Sequence, residues 1–169
     1  MKSTIKYSLS AALIVIAIKL IIYFSHLQLT PVGVFLSIFS LVLMGIPLAL
    51  AMKNKRDNEL DGFLTLKQAM RVGLGISIIA GILVGLFAYI QFSFIDHDTL
   101  PMILEKIITD MHKENASQSQ IDNEIIFKKD FYSPFNQAKG ALIGVLGASF
   151  LLSFISSTFL IKNPPTAEI

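Results

Sequence analysis

Residues 72–94 read VGLGISIIAGILVGLFAYIQFSF, without one charged side chain. A helix rises about 1.5 Å per residue, so about 20 residues cross the ~30 Å hydrocarbon layer of a bilayer. A water-soluble helix of that length would show a polar stripe every 3.6 residues, and this stretch shows none. It therefore predicts a transmembrane helix. Working outward, Tyr7–Ser25, Val32–Met52 and Gly140–Ile161 are of the same kind, and only the first contains a charge, at Lys19. That first stretch follows Lys2 and Lys6 as the apolar part of a signal peptide would. It is longer than such a region, however, and ends in Phe24-Ser25-His26-Leu27 with no small-x-small cleavage site, so it reads as a retained helix.

Composition agrees with four spans in one membrane domain over 1–169. Of 169 residues 53% are apolar and 15% charged, with a mean hydropathy of +0.66. The absence of Cys removes disulfides, thiolate nucleophiles, iron–sulfur clusters and Cys-zinc sites. A net charge of +2 without a dense basic run argues against a nucleic-acid partner.

Capping residues mark the helix ends. Thr30-Pro31 and Ser133-Pro134 each set a hydroxyl N-cap before a proline whose missing N–H is harmless at the first helical position. Thr65 with Gln68 forms a capping box, which starts the third helix near Leu66 and sets Lys67 and Arg71 at headgroup level. Asn163-Pro164-Pro165 stops the last helix, and Pro47 kinks the second. The five residues His26–Thr30 force the first two spans into a tight antiparallel hairpin. Four spans put both termini and the Lys53–Arg71 connection on one side. That side carries Lys2, Lys6, Lys53, Lys55, Arg56, Lys67, Arg71 and Lys162, against five lysines in a long opposite loop that also carries eight acids. The bias predicts cytoplasmic termini.

The long loop, about 96–137, predicts a helical insert outside the membrane. From Thr99, capped by Asp98 or by Thr99 itself, Leu100, Ile103, Leu104, Ile107, Ile108 and Met111 recur at 3, 4, 7, 8 spacing. A weaker helix spans about Gln120 to Lys129, with Ile121 and Ile125 on one side. The simpler expectation is a cap resting its apolar face on the bundle or the outer leaflet; the functional one is a lid or a docking surface. Phe131, Tyr132 and Phe135 suit an interfacial aromatic belt.

Two rows of small residues, Gly73, Ser77, Gly81, Gly85 and Gly140, Gly144, Ala148, let helix backbones approach closely. Because two rows occur in one chain, they are expected to pack against each other; homo-oligomerisation through one row is the alternative. Lys19 costs about 2.5–3.5 kcal/mol at a helix centre, but ten Leu, Ile, Phe and Val between Leu9 and Phe24 offset this. It lies close enough to the helix end to snorkel outward, or it pairs with Gln91, which sits at a comparable depth in the third span. Asp96-His97-Asp98 offers ligands but no helical metal-site spacing, and His26 and His97 meet only if the first and third helices are neighbours. No phosphate loop, nucleophile elbow or intramembrane carboxylate pair is present, so no enzyme, metal or cofactor is expected.

The stretch Asp61-Gly62-Phe63-Leu64-Thr65-Leu66-Lys67-Gln68-Ala69-Met70-Arg71-Val72-Gly73, followed by a glycine row, a helical insert and a closing span, resembles a family of small bacterial four-span proteins, "domain of unknown function 4199". Leu64, Thr65, Ala69 and Gly73 match the family's pattern, while Leu66 and Met70 stand where an aromatic is more usual. The resemblance covers nearly the whole chain in architecture and about ten residues as a motif. It implies a bacterial inner-membrane location and brings no catalytic residue. The expectation is an all-α, integral membrane four-helix bundle with a helical extracytoplasmic insert. Its leading role is a non-enzymatic accessory or scaffolding subunit, contacting the lipid bilayer and a second copy or another membrane protein. The runner-up is a small transporter or channel component using Lys19 and Gln91.

Overall fold

A computed structural model describes residues 2–163, leaving out the side chain of Lys2. The proline pair Pro164-Pro165, expected to stop the last helix, lies outside the described residues. Seven helices follow in order: α1 (Lys2–Phe24), α2 (Pro31–Leu43), α3 (Gly45–Glu59), α4 (Leu66–Ile90), α5 (Thr99–Lys113), α6 (Gln118–Phe131) and α7 (Pro134–Leu160). Among the described residues four helical stretches are long and apolar enough to cross a membrane: α1 from Ser3, α2 with α3, α4 extended to Ile95, and α7.

The expected caps close three helix starts. Thr30 Oγ1 accepts from the Gly33 N–H, Thr65 and Gln68 satisfy one another's backbone groups, and Ser133 Oγ accepts from the Asn136 N–H. A further capping box, Ser117 with Gln120, starts α6 two residues before the sequence reading placed it. Pro47 has no N–H for the carbonyl of Leu43, and the second span breaks at Met44 into α2 and α3. The helix does not end with the expected span at Met52. The helix runs on to Glu59, where the Lys55–Glu59 ion pair closes its last turn.

The bundle is apolar outside and small or polar inside. Phe35, Ile38, Leu74, Leu86, Phe150 and Phe159 are exposed, while Ser8, Ser40, Ser77, Ser149, Ser153 and Ser157 are buried. Lipid replaces water as the outer solvent, so large hydrocarbons face outward, and hydroxyls turn inward or bond back to their own helix. Ser77 donates to the Gly73 carbonyl at 2.7 Å and Ser157 to that of Phe154 at 2.6 Å.

Helix α4 packs most extensively on α7 and next on α1, while α3 lies against α7 and α1. At the end carrying the termini, α3 also meets α4, and Leu64 and Lys162 exchange backbone hydrogen bonds of 2.8 and 3.0 Å. At the other end, here the cap end, α2 touches α1, α3 and α7 but not α4. The break at Met44 thus leaves a gap beside α4 in the cap-end half. Tyr23 closes part of its rim by donating to the Ile95 carbonyl at 2.8 Å.

The cap is a hairpin of α5 and α6. Of the helices α5 contacts only α6, so its apolar stripe does not rest on the bundle. Ile103 is buried, while Ile107 and Met111 overhang a cleft floored by Leu29 and Tyr132.

Candidate functional site

The gap left by α2 holds a cavity of about 210 Å³. Lys19 and Tyr23 reach it from α1, Ser37 from α2, Gln91 and Asp96 from the turn that follows α4, Tyr132 from the end of α6 and Gln137 from the start of α7. Lys19 and Gln91, expected at comparable depth, therefore line the same cavity. Lys19 is half-buried, and among the described residues its ammonium forms neither a salt bridge nor a hydrogen bond. Gln91 is 6% exposed, and its amide oxygen Oε1 has no hydrogen-bond partner. Leaving a buried acceptor unpaired costs about 1–3 kcal/mol, so such an atom in a native fold needs a reason.

Local backbone geometry sets Gln91 there. After Ile90 the helix widens over Gln91–Ile95 into a π-type turn, closed by the Asp96 N–H on the Gln91 carbonyl at 2.7 Å. A widened turn inserts one residue into the helical register and shifts every side chain beyond it. It carries Asp96 inward. The Asp96 carboxylate accepts from the Thr99 N–H at 3.0 Å and from the Thr99 hydroxyl at 2.8 Å, both within the buried interior. This corrects the expected cap of α5: the Asp98 side chain makes no capping bond, and Asp96 makes it instead.

A second cavity, of about 330 Å³, adjoins the first and shares Lys19, Ser37 and Gln137 with it. Its other walls are mostly apolar, including Val15, Leu41, Val84, Ala141 and Val145. Gly140 and Gly144 lie along it, both exposed, and a Cβ on either would meet nothing within 4 Å.

That placement overturns the expected match of the two glycine rows. Gly73, Ser77, Gly81 and Gly85 are buried on α4 and do face α7, but they meet a different side of it. A Cβ on Gly73 would lie 1.9 Å from Ser153 Oγ, one on Gly81 2.8 Å from Leu142 Cδ1, and one on Gly85 3.2 Å from the Ala138 carbonyl oxygen. The α7 partners are therefore Ala138, Leu142, Val145 and Ser153, on the side of α7 whose buried row Val145, Ser149, Ser153, Ser157 the sequence reading passed over. The reason is polarity. A serine hydroxyl is better held inside the bundle than in lipid, whereas glycine has no side chain to hide. Ala148 is half-buried against the core. Gly33 was also missed: its Cα faces the hairpin backbone so closely that a Cβ would stand 1.9 Å from the Leu27 carbonyl oxygen.

The histidines do not converge on a metal site. His26, His97 and His112 are exposed, and no group of three metal-ligating side chains occurs among the described residues. The cavity is instead lined by one cation, Lys19, together with Gln91 and Asp96, within an apolar bundle.

Fold and cavity together define a helical membrane protein: a four-helix bundle with a two-helix cap and a polar chamber beneath it. The family described as protein of unknown function (DUF4199) matches residues 6–162, and the chain belongs to that family. No curated protein and no solved structure matches the chain.

Proposed function

We propose that this chain is a non-enzymatic, multi-pass protein of the bacterial inner membrane whose working part is the cavity beneath the cap, where it binds a small polar group. This is the binding step of the transporter or channel reading built on Lys19 and Gln91. The observation that carries it is the buried, unpaired amide oxygen of Gln91, a residue that lines the cavity together with Lys19. A bound group with a donor would satisfy that oxygen, and one with an anionic atom would suit the ammonium. The excess of Lys and Arg on the side of the termini supports cytoplasmic termini and an external cap.

The lack of native cysteine makes the test clean. Ser37→Cys, on the cavity wall, should react with a charged, membrane-impermeant thiol reagent in delipidated, detergent-held protein, because a thiolate forms only where water reaches it. Ile38→Cys, one position on and exposed on the bundle's apolar outside, should stay inert. Equal inertness of both would sink the reading.

A second reading, the accessory or scaffolding subunit, is favoured by Gly140, Gly144 and Gly147, which leave one side of α7 open to another helix. Native mass spectrometry from nanodiscs separates the two: a defined homo-oligomer or a co-purifying protein supports the scaffold, and a monomer counts against it.

A further inference from the structure

We infer that the occupant of this chamber is a phospholipid with a primary-ammonium headgroup, held with its phosphate at Lys19, its ammonium at Gln91 and Asp96, and one acyl chain in the adjoining groove. The inference rests on the proposed reading of the cavity as a binding site.

The composition of the walls carries it. Val15, Val84 and Val145 lie on the apolar groove. Lys19 lines both the groove and the chamber, where Gln91 and Asp96 join it. The lining thus connects a hydrocarbon groove to a chamber with a cation and a carboxylate. An aminophospholipid connects an acyl chain to a phosphate and an ammonium, so each part of the lining has a complementary part of the lipid.

The same features exclude the neighbouring chemistries. A headgroup that ends in hydroxyls, as that of phosphatidylglycerol does, brings the same phosphate to Lys19 but no cation to the Asp96 carboxylate. A trimethylated ammonium has no N–H to give Gln91 Oε1. Each Asp96 oxygen is engaged once by Thr99 and keeps a further lone pair for a donor. Lys19 and Asp96 form no salt bridge with each other, so both remain available to a group between them. An apolar helix of a partner would bury all three polar groups unmatched. Entry from the bilayer needs an open side, and Gly140 and Gly144 leave one, with no Cβ along the groove.

The test is native mass spectrometry of the full chain released from nanodiscs containing equal parts phosphatidylethanolamine, phosphatidylglycerol and phosphatidylcholine. Wild type should keep one phosphatidylethanolamine, favoured about tenfold over either competitor, the size of one charge-assisted hydrogen bond. Lys19→Met should lose that adduct, and Asp96→Asn should lose the preference over phosphatidylglycerol. Gln91→Leu, which removes the unpaired acceptor and so should fold at least as well, should equalise phosphatidylethanolamine and phosphatidylcholine. Lys129→Met, on the exposed cap, should change nothing. Preference for phosphatidylglycerol, adducts insensitive to Lys19→Met and Gln91→Leu alike, or a co-purified protein in place of lipid would each overturn the inference. If no lipid is kept while Ser37→Cys still reacts, the lipid is wrong and the binding cavity stands; if neither occurs, both fall.

Discussion

Gly73 and Gly147 are both glycines within apolar helices, yet their surroundings are opposite. Gly73→Ala would drive a methyl to 1.9 Å from Ser153 Oγ and 2.7 Å from its Cβ, so α4 and α7 must separate. We expect a loss of about 1–3 kcal/mol, as for an overpacked core. Gly147→Ala meets open space and should be neutral or stabilising by up to about 1 kcal/mol, through helix propensity. Unfolding in mixed micelles measures both, and equal losses would contradict the packing of α4 on Ser153. Thr99→Val should cost about 1–3 kcal/mol locally, because it strands a buried carboxylate oxygen of Asp96. Faster amide exchange confined to the first turns of α5 would report it. At this scale the sequence was legible where signals are local. Thr30, Thr65 and Ser133 cap the helices they precede, since a cap needs only its own next three residues. Asp96 was not legible, because its inward turn depends on the widened backbone at Gln91–Ile95.

Among the elements, the second span decides whether a chamber exists. Pro47 withdraws the N–H that would bond to the Leu43 carbonyl, and α2 diverges from α4 while α3 stays against it. Pro47→Ala restores that donor and should straighten the span. With spin labels at Val34 on α2 and Leu86 on α4, both exposed, the interlabel distance should shorten. An unchanged distance would mean that packing on α1 and α7, and not the proline, holds α2 away. The kink itself could be read from one residue. Its consequence, an opening onto Lys19 and Gln91, could not, because helices far apart in the sequence, α1, α4 and α7, complete the walls. The 3, 4, 7, 8 pattern likewise outlined α5 but could not name its helical neighbour, which is α6.

For the whole molecule, an apolar exterior and a serine-lined interior follow from exchanging water for lipid as the surrounding medium. Sidedness is then a matter of charge. In intact cells, an impermeant thiol reagent should label Glu114→Cys in the cap turn and spare Asn58→Cys near the end of α3, both positions being exposed. The reverse pattern would invert the proposed orientation, and labelling of both in sealed cells would contradict four crossings.

The sequence by itself determined the four spans, their caps, the hairpin, the break near Pro47 and the helical cap, all set by hydropathy and by chemistry within a few residues. It also singled out Lys19 and Gln91 as the polar side chains within the spans that needed explaining. Only the tertiary structure decided which face of α7 meets α4, since Gly140–Gly144–Ala148 and Val145–Ser149–Ser153–Ser157 are equally regular rows. Spacing along one helix cannot rank two faces. The rank comes from where hydroxyls can be sheltered and where a neighbouring backbone stands. The tertiary structure alone also brought Asp96 to the chamber of Lys19 and Gln91, because the meeting of α1 with the end of α4 is a property of the assembled bundle.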